Sequence, residues 1–239
     1  VVDPYAKACG TNGLRAQVID LKETNPVGWA QDKSPNFSVS NKQTDAVIYE
    51  LHVRDASIHA SSGIKNKGKF LGLAEVGTKN SAGQSTGLSH IKELGVTHVH
   101  LLPFYDYNSV DETKAAVQYN WGYDPVNYNI PEGSYSTNPA DGKVRIKELK
   151  ELIKTMHSNG LRIIMDVVYN HTALTKNANF NILVPDYYYR KRADGSFSDA
   201  SSCGNETASD NAMFQKFMIE SVVYWVNEYH IDGFRFDLM

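Results

Sequence analysis

Cysteine is scarce. Cys9 and Cys203 are the only two in 239 residues, too few for a disulfide framework, and they read as two unrelated thiols. Long apolar runs are missing too: no stretch approaches the roughly 18 residues of a membrane-spanning helix. Charge of one sign is missing as well. Lys plus Arg number 24 against 27 for Asp plus Glu, so a net charge of -3 gives no electrostatic case for nucleic acid or anionic lipid. No P-loop, HExxH or GxSxG pattern occurs, which removes three common catalytic designs. What is present is a globular composition, 41% apolar and 21% charged, with a high count of 14 Tyr.

The chain opens on Val1-Val2-Asp3-Pro4 and stops inside an apolar run, Gly233 to Met239. That pattern reads as a piece of a longer protein. Residues 1–44 are polar and broken by Gly, Pro, Asn and Ser, with Ala16 to Leu21 as their one strand-like run. They read as a connector or the tail of an upstream module. Residues 45–239 read as the folded unit. Apolar runs at Ala46–Val53, Thr97–Pro103, Leu161–Tyr169 and Gly233–Met239 read as strands buried on both faces. Helical patterns separate them. Val144, Ile146, Leu149, Leu152, Ile153 and Met156 form one apolar face, and Phe214, Phe217, Met218, Val222, Trp225, Val226 and Tyr229 form another. Alternating strand and helix argue an α/β fold with a parallel sheet, either an open doubly wound sheet or a barrel. No glycine-rich turn follows a strand, which weakens the dinucleotide-binding version. Four strand–helix units are half of a (β/α)8 barrel, with a long third-loop excursion at about 171–211.

Polar residues inside apolar strands carry the chemistry. With a period of two, Arg235 and Asp237 share one face of the last strand. Burying both is costly unless they are paired or used, which leaves a structural ion pair or an ionised carboxylate at a barrel mouth. Asp166 interrupts the third strand and is followed by Asn170-His171. The loop Tyr119-Asn120-Trp121-Gly122-Tyr123-Asp124-Pro125 is a tight turn between aromatic rings, either packing or a platform for a sugar face. His98 and His100 point the same way from the second strand and, lacking a third ligand, read as structural. Lys65, Lys67 and Lys69 read as a solvated loop.

These residues resemble a known family. Asp166 to His171 and Gly233 to Asp237 resemble the first two signature regions of the α-amylase superfamily, glycoside hydrolase family thirteen. Tyr119 to Pro125 resembles the hallmark of the type I pullulanases, and Ile48 to Asp55 and Cys203 to Glu206 are similar to further segments of that group. Ala56 departs from the Phe often found there. The resemblance implies a (β/α)8 barrel and retaining hydrolysis of α-1,6 bonds in pullulan, amylopectin and related α-glucans. Isoamylases, glycogen debranching enzymes and a non-catalytic α-glucan-binding barrel are the alternatives. It assigns Asp237 as nucleophile and Arg235 as its partner. His171, Tyr123, Trp121 and Asp166 fall to the substrate site, with Tyr123 stacking by its ring face and its hydroxyl secondary. It requires no cofactor, and it leaves calcium open through Asn170. It places the acid/base Glu on a fifth strand, so these 239 residues alone are expected to be inactive.

Overall fold

The computed structural model describes residues 1–38 and 42–238. A parallel sheet runs in the order β1 (Ile48–Leu51), β2 (His98–Leu101), β5 (Arg162–Val167), β6 (Gly233–Phe236). A separate antiparallel ribbon pairs β3 (Tyr105–Tyr107) with β4 (Pro125–Pro131). The helices are α1 (Asp55–Ile58), α2 (Phe70–Leu73), α3 (Gly87–Glu93), α4 (Gly142–Ser158), α5 (Asn179–Leu183) and α6 (Ala212–Tyr229).

The strands are shorter than their apolar runs, and only the central pair is buried as expected. Val99, Leu101, Ile163 and Met165 are fully enclosed. Ile48 and Tyr49 on β1 and Phe236 on β6 are exposed, because both strands form the edges of this sheet.

Helix α4 follows its sequence signals. Asp141 accepts a hydrogen bond from Lys143 N at the start, and Asn159-Gly160 ends it. Its apolar face, Ile146, Leu149, Leu152, Ile153 and Met156, is fully buried. Each such side chain contributes about 1.5–3 kcal/mol by leaving water. Helix α6 buries Phe214, Phe217, Trp225 and Tyr229, while Val226 turns out to solvent. It stops at His230, whose left-handed φ of 56° ends the helix without a glycine.

Two regions depart from the sequence reading. The β3–β4 ribbon sits where a loop is expected, because prolines at both ends of β4 disguise it. Residues 1–38 contain 3-10 turns rather than a strand, and Ala16 makes a single bridge to Cys9. This segment uses the flank of the folded unit as its core. Val2, Ala8, Cys9 and Trp29 are buried. Arg145 of α4, fully buried, donates to Gly10 O at 2.8 Å, and Lys150 Nζ donates to Asn25 Oδ1 at 2.6 Å. His157 at the end of α4 bridges Asp32 (2.8 Å) and Asp232 (3.0 Å). Lys67 and Lys69 are also tied down rather than solvated, Lys67 Nζ donating to Ser62 Oγ and Lys69 Nζ to Ser134 O. Among the described residues no helix is long and apolar enough to cross a membrane.

Candidate active site

The site forms at the C-terminal ends of β2, β5 and β6. Parallel pairing places Asp166 opposite Arg235. Strand alternation returns the chain to the same face two residues later, at Asp237, whose N–H extends the ladder to Val167 O at 2.9 Å. Arg235 NH1 donates to Asp237 Oδ1 at 2.6 Å and to Asp166 Oδ1 at 3.1 Å. Asp166 is fully buried. Its Oδ2 also accepts from Tyr123 OH at 2.8 Å and lies 3.0 Å from His100 Nε2. Only the Asp166 end is buried; Arg235 stays half exposed, so these bonds offset the desolvation of Asp166 while solvent screens the guanidinium.

The electrostatics follow from this crowding. Burial pushes the Tyr123 hydroxyl pKa up, and its bond to Asp166 pushes it further. Burial alone would lower the Arg235 pKa, but the bonds to Asp166 and Asp237 outweigh it and raise it. Arg235 is therefore a fixed positive charge against the Asp237 carboxylate.

The aromatic loop is built to aim Tyr123. Asn120 Oδ1 accepts from Gly122 N (2.9 Å), while its amide donates to Asn108 O and Asp124 Oδ1, both at 2.8 Å. Gly122 has φ +90°, and a Cβ there would lie 2.8 Å from Pro103 O. Glycine is required at this position for both reasons. His52 Nε2 holds the loop from β1's side, 2.9 Å from Asn120 O.

The other expected site residues lie close by with their own partners. His171 Nε2 donates to Tyr123 O at 2.6 Å, and Nδ1 lies 2.7 Å from Asn170 Oδ1. Asn170 Nδ2 donates to the Asp237 carbonyl at 3.0 Å. Asn170 is thus set between His171 and the Asp237 carbonyl, and its side chain offers one oxygen of the 6–8 that a calcium ion takes. Trp121 stands at the rim, 61% exposed, beside Tyr119. The Cys203–Glu206 segment closes the third loop. Buried Asn205 accepts from Thr172 N at 3.0 Å and donates to Thr172 O at 2.7 Å. Among the described residues one acidic group is close enough to hold a metal, Asp106, Glu112 and Glu132, and Arg145 already pairs with two of its members.

Sequence reasoning did not connect His100 with Glu50. His100 read as structural, and Glu50 is one charge in a strand-like run. The sheet makes them neighbours, with His100 Nδ1 3.2 Å from Glu50 Oε2.

The model of the alpha-amylase catalytic domain matches residues 36–195. This chain belongs to the alpha-amylase family. It is 48% identical over 238 residues to the pullulanase of Bacillus subtilis (strain 168), covering 100% of this chain and 32% of that protein. It is 33% identical to the chloroplastic isoamylase SU1 of Zea mays, covering 100% of this chain and 31% of that one. It matches the crystal structure of a pullulanase from Paenibacillus barengoltzii in complex with maltohexaose and alpha-cyclodextrin. The TM-score there is 0.96 at 59% identity, over 99% of this chain and 37% of that chain. The chain thus spans about a third of the length of these relatives. Its four-stranded parallel sheet is the first half of the alpha-amylase barrel.

Proposed function

We propose that the protein carrying this chain hydrolyses α-1,6-glucosidic bonds of α-glucans with retention, as a debranching enzyme of the pullulanase type. One observation carries the reading: a single guanidinium nitrogen, Arg235 NH1, joins buried Asp166 to Asp237 at the mouth of the sheet. A carboxylate held in that way suits an oxocarbenium-like transition state, which it stabilises and then captures.

In this reading Asp237 attacks the anomeric carbon as the bond to the leaving sugar oxygen breaks. A second carboxyl, about 5–5.5 Å from the first in retaining enzymes, supplies the proton to that oxygen. Water then releases the sugar from Asp237. Asp166 holds Arg235 and Tyr123, Tyr123 and Trp121 offer ring faces to glucose, and His171, with both ring nitrogens on protein groups, lines the substrate site behind Tyr123. Residues 1–44 serve as a connector, and residues 45–239 as the first half of the catalytic barrel with the 171–211 loop excursion. Similarity to pullulanases, one of them seen with maltohexaose, supports an α-glucan as substrate.

The test is a fluorinated glycosyl donor that traps the covalent intermediate, followed by peptide mass spectrometry on the complete protein. Label on Asp237 and retained configuration in the product are expected. Label elsewhere, or inversion, sinks the reading. The maize isoamylase similarity keeps a second reading open, and rates on pullulan against glycogen separate the two.

A further inference from the structure

The substrate-site reading above uses Asp166, Arg235 and Asp237 but leaves His100 without a role. His100 is buried, and both of its ring nitrogens face carboxylates: Nε2 to Asp166 Oδ2 at 3.0 Å and Nδ1 to Glu50 Oε2 at 3.2 Å. A residue that only filled space would not need that arrangement. An apolar side chain between two neighbouring strands would cost less to bury.

The geometry points to His100 as a positioning residue that sets the orientation of the Asp166 carboxylate, and through it the Arg235–Asp237 pair. This inference rests on the proposed hydrolase reading. Among the described residues Asp166 Oδ2 faces three donors, Tyr123 OH at 2.8 Å, His100 Nε2 at 3.0 Å and Arg235 NH1 at 3.3 Å, while Oδ1 faces Arg235 NH1 alone at 3.1 Å. Tyr123 comes from the loop after β3, Arg235 from β6 and His100 from β2. His100 is thus the donor that ties the carboxylate to the central sheet on the side away from Arg235. Without it, the carboxylate is free to turn and pair its two oxygens with two guanidinium nitrogens instead of with NH1 alone, the fork geometry that Arg and carboxylate favour. Arg235 is then drawn from Asp237, and the nucleophile loses the contact that aims it. Glu50 holds the far side of the imidazole and fixes its ring, as outer partners of functional histidines commonly do.

His100 acts through Asp166 and touches no reacting atom, so its effect belongs on the chemical step rather than on substrate capture. In the complete protein, His100→Leu is expected to lower kcat on pullulan by on the order of 10- to 100-fold, with KM little changed. His100→Gln is expected to return most of the rate, since a glutamine amide N–H can take the place of Nε2–H toward Asp166. His100→Asn, one methylene shorter, is expected to fall between them. Asp237→Asn runs alongside as the control. If it retains wild-type turnover, the hydrolase reading itself fails. If Asp237→Asn is inactive while His100→Leu keeps its kcat, loses only in KM, or is not rescued by Gln, the positioning role is wrong and the hydrolase reading stands. Circular dichroism and thermal unfolding accompany each variant. Should His100→Leu fail to fold, the Gln and Asn pair decides: near wild-type kcat in the first and a clear loss in the second supports the proposal, and equal values overturn it.

Discussion

Arg235 and Asp237 lie two residues apart on one strand face, and one guanidinium nitrogen reaches the Asp237 carboxylate at 2.6 Å. The same nitrogen meets buried Asp166 on the next strand, so the exposed end of the pair is anchored in the core.

Asp237→Asn tests the pair directly. The amide keeps the shape but cannot form the glycosyl ester. In the complete protein, kcat on pullulan is expected to fall by on the order of 10⁴-fold, with the fold and substrate binding kept. Reducing-end release measures it, and near wild-type turnover would remove Asp237 from the nucleophile's role.

Tyr123 separates ring from hydroxyl. A stacking platform alone makes the hydroxyl secondary. The structure instead has that hydroxyl donating to Asp166 at 2.8 Å. Tyr123→Phe is therefore expected to lose about 1.5–3 kcal/mol in transition-state stabilisation, the usual value of a hydrogen bond to a charged group. Tyr123→Ala should lose more. Comparing kcat/KM for the two variants checks this, and a Phe variant as active as wild type would show that the hydroxyl is idle.

Gly122→Ala tests the loop. With φ at +90° and a Cβ placed 2.8 Å from Pro103 O, alanine must both strain the backbone and push the turn away. A loss of about 1–3 kcal/mol in stability is expected from the dihedral alone. Thermal unfolding measures that, and kcat/KM should drop as well because Tyr123 follows directly.

His157 gives a pH dependence. Burial disfavours its charge, but bonds to Asp232 and Asp32 outweigh burial and raise its pKa above the ordinary value. A raised histidine contributes stability that is full below the unfolded value, about 6.5, and is lost as pH rises through the higher folded value. Melting temperatures followed upward from about pH 6 should decline on the alkaline side. His157→Phe should flatten that decline, and an unchanged slope would exclude His157 as its source.

Much of the architecture was legible because it is periodic. The face of α4 repeats at 3.6 residues and the two central strands are short, largely apolar runs, and local pattern alone exposes both. Asp166, Arg235 and Asp237 were visible for the opposite reason: charge inside an apolar run breaks the period. The N-terminal segment was not legible in this way. Its ties run through Arg145, Lys150 and His157, and the partners Gly10, Asn25 and Asp32 lie more than 100 residues away in sequence. No local pattern records such a pairing. The contact between His100 and Asp166 was not legible because it depends on register. His100 pairs with Ile164, which places its ring diagonal to Asp166, two residues further along β5.

The contacts from Glu50 through His100 and Asp166 to Arg235 take one side chain from each of β1, β2, β5 and β6. They cross the sheet at right angles to the chain's own direction. Because a strand that slips by one residue turns every side chain to the opposite face, each link is also a check on alignment. The row therefore joins four strands in one frame: Arg235 to Asp166, Asp166 to His100, and His100 to Glu50. A one-residue slip of any one strand would turn its side chain to the far face and open the row at that link.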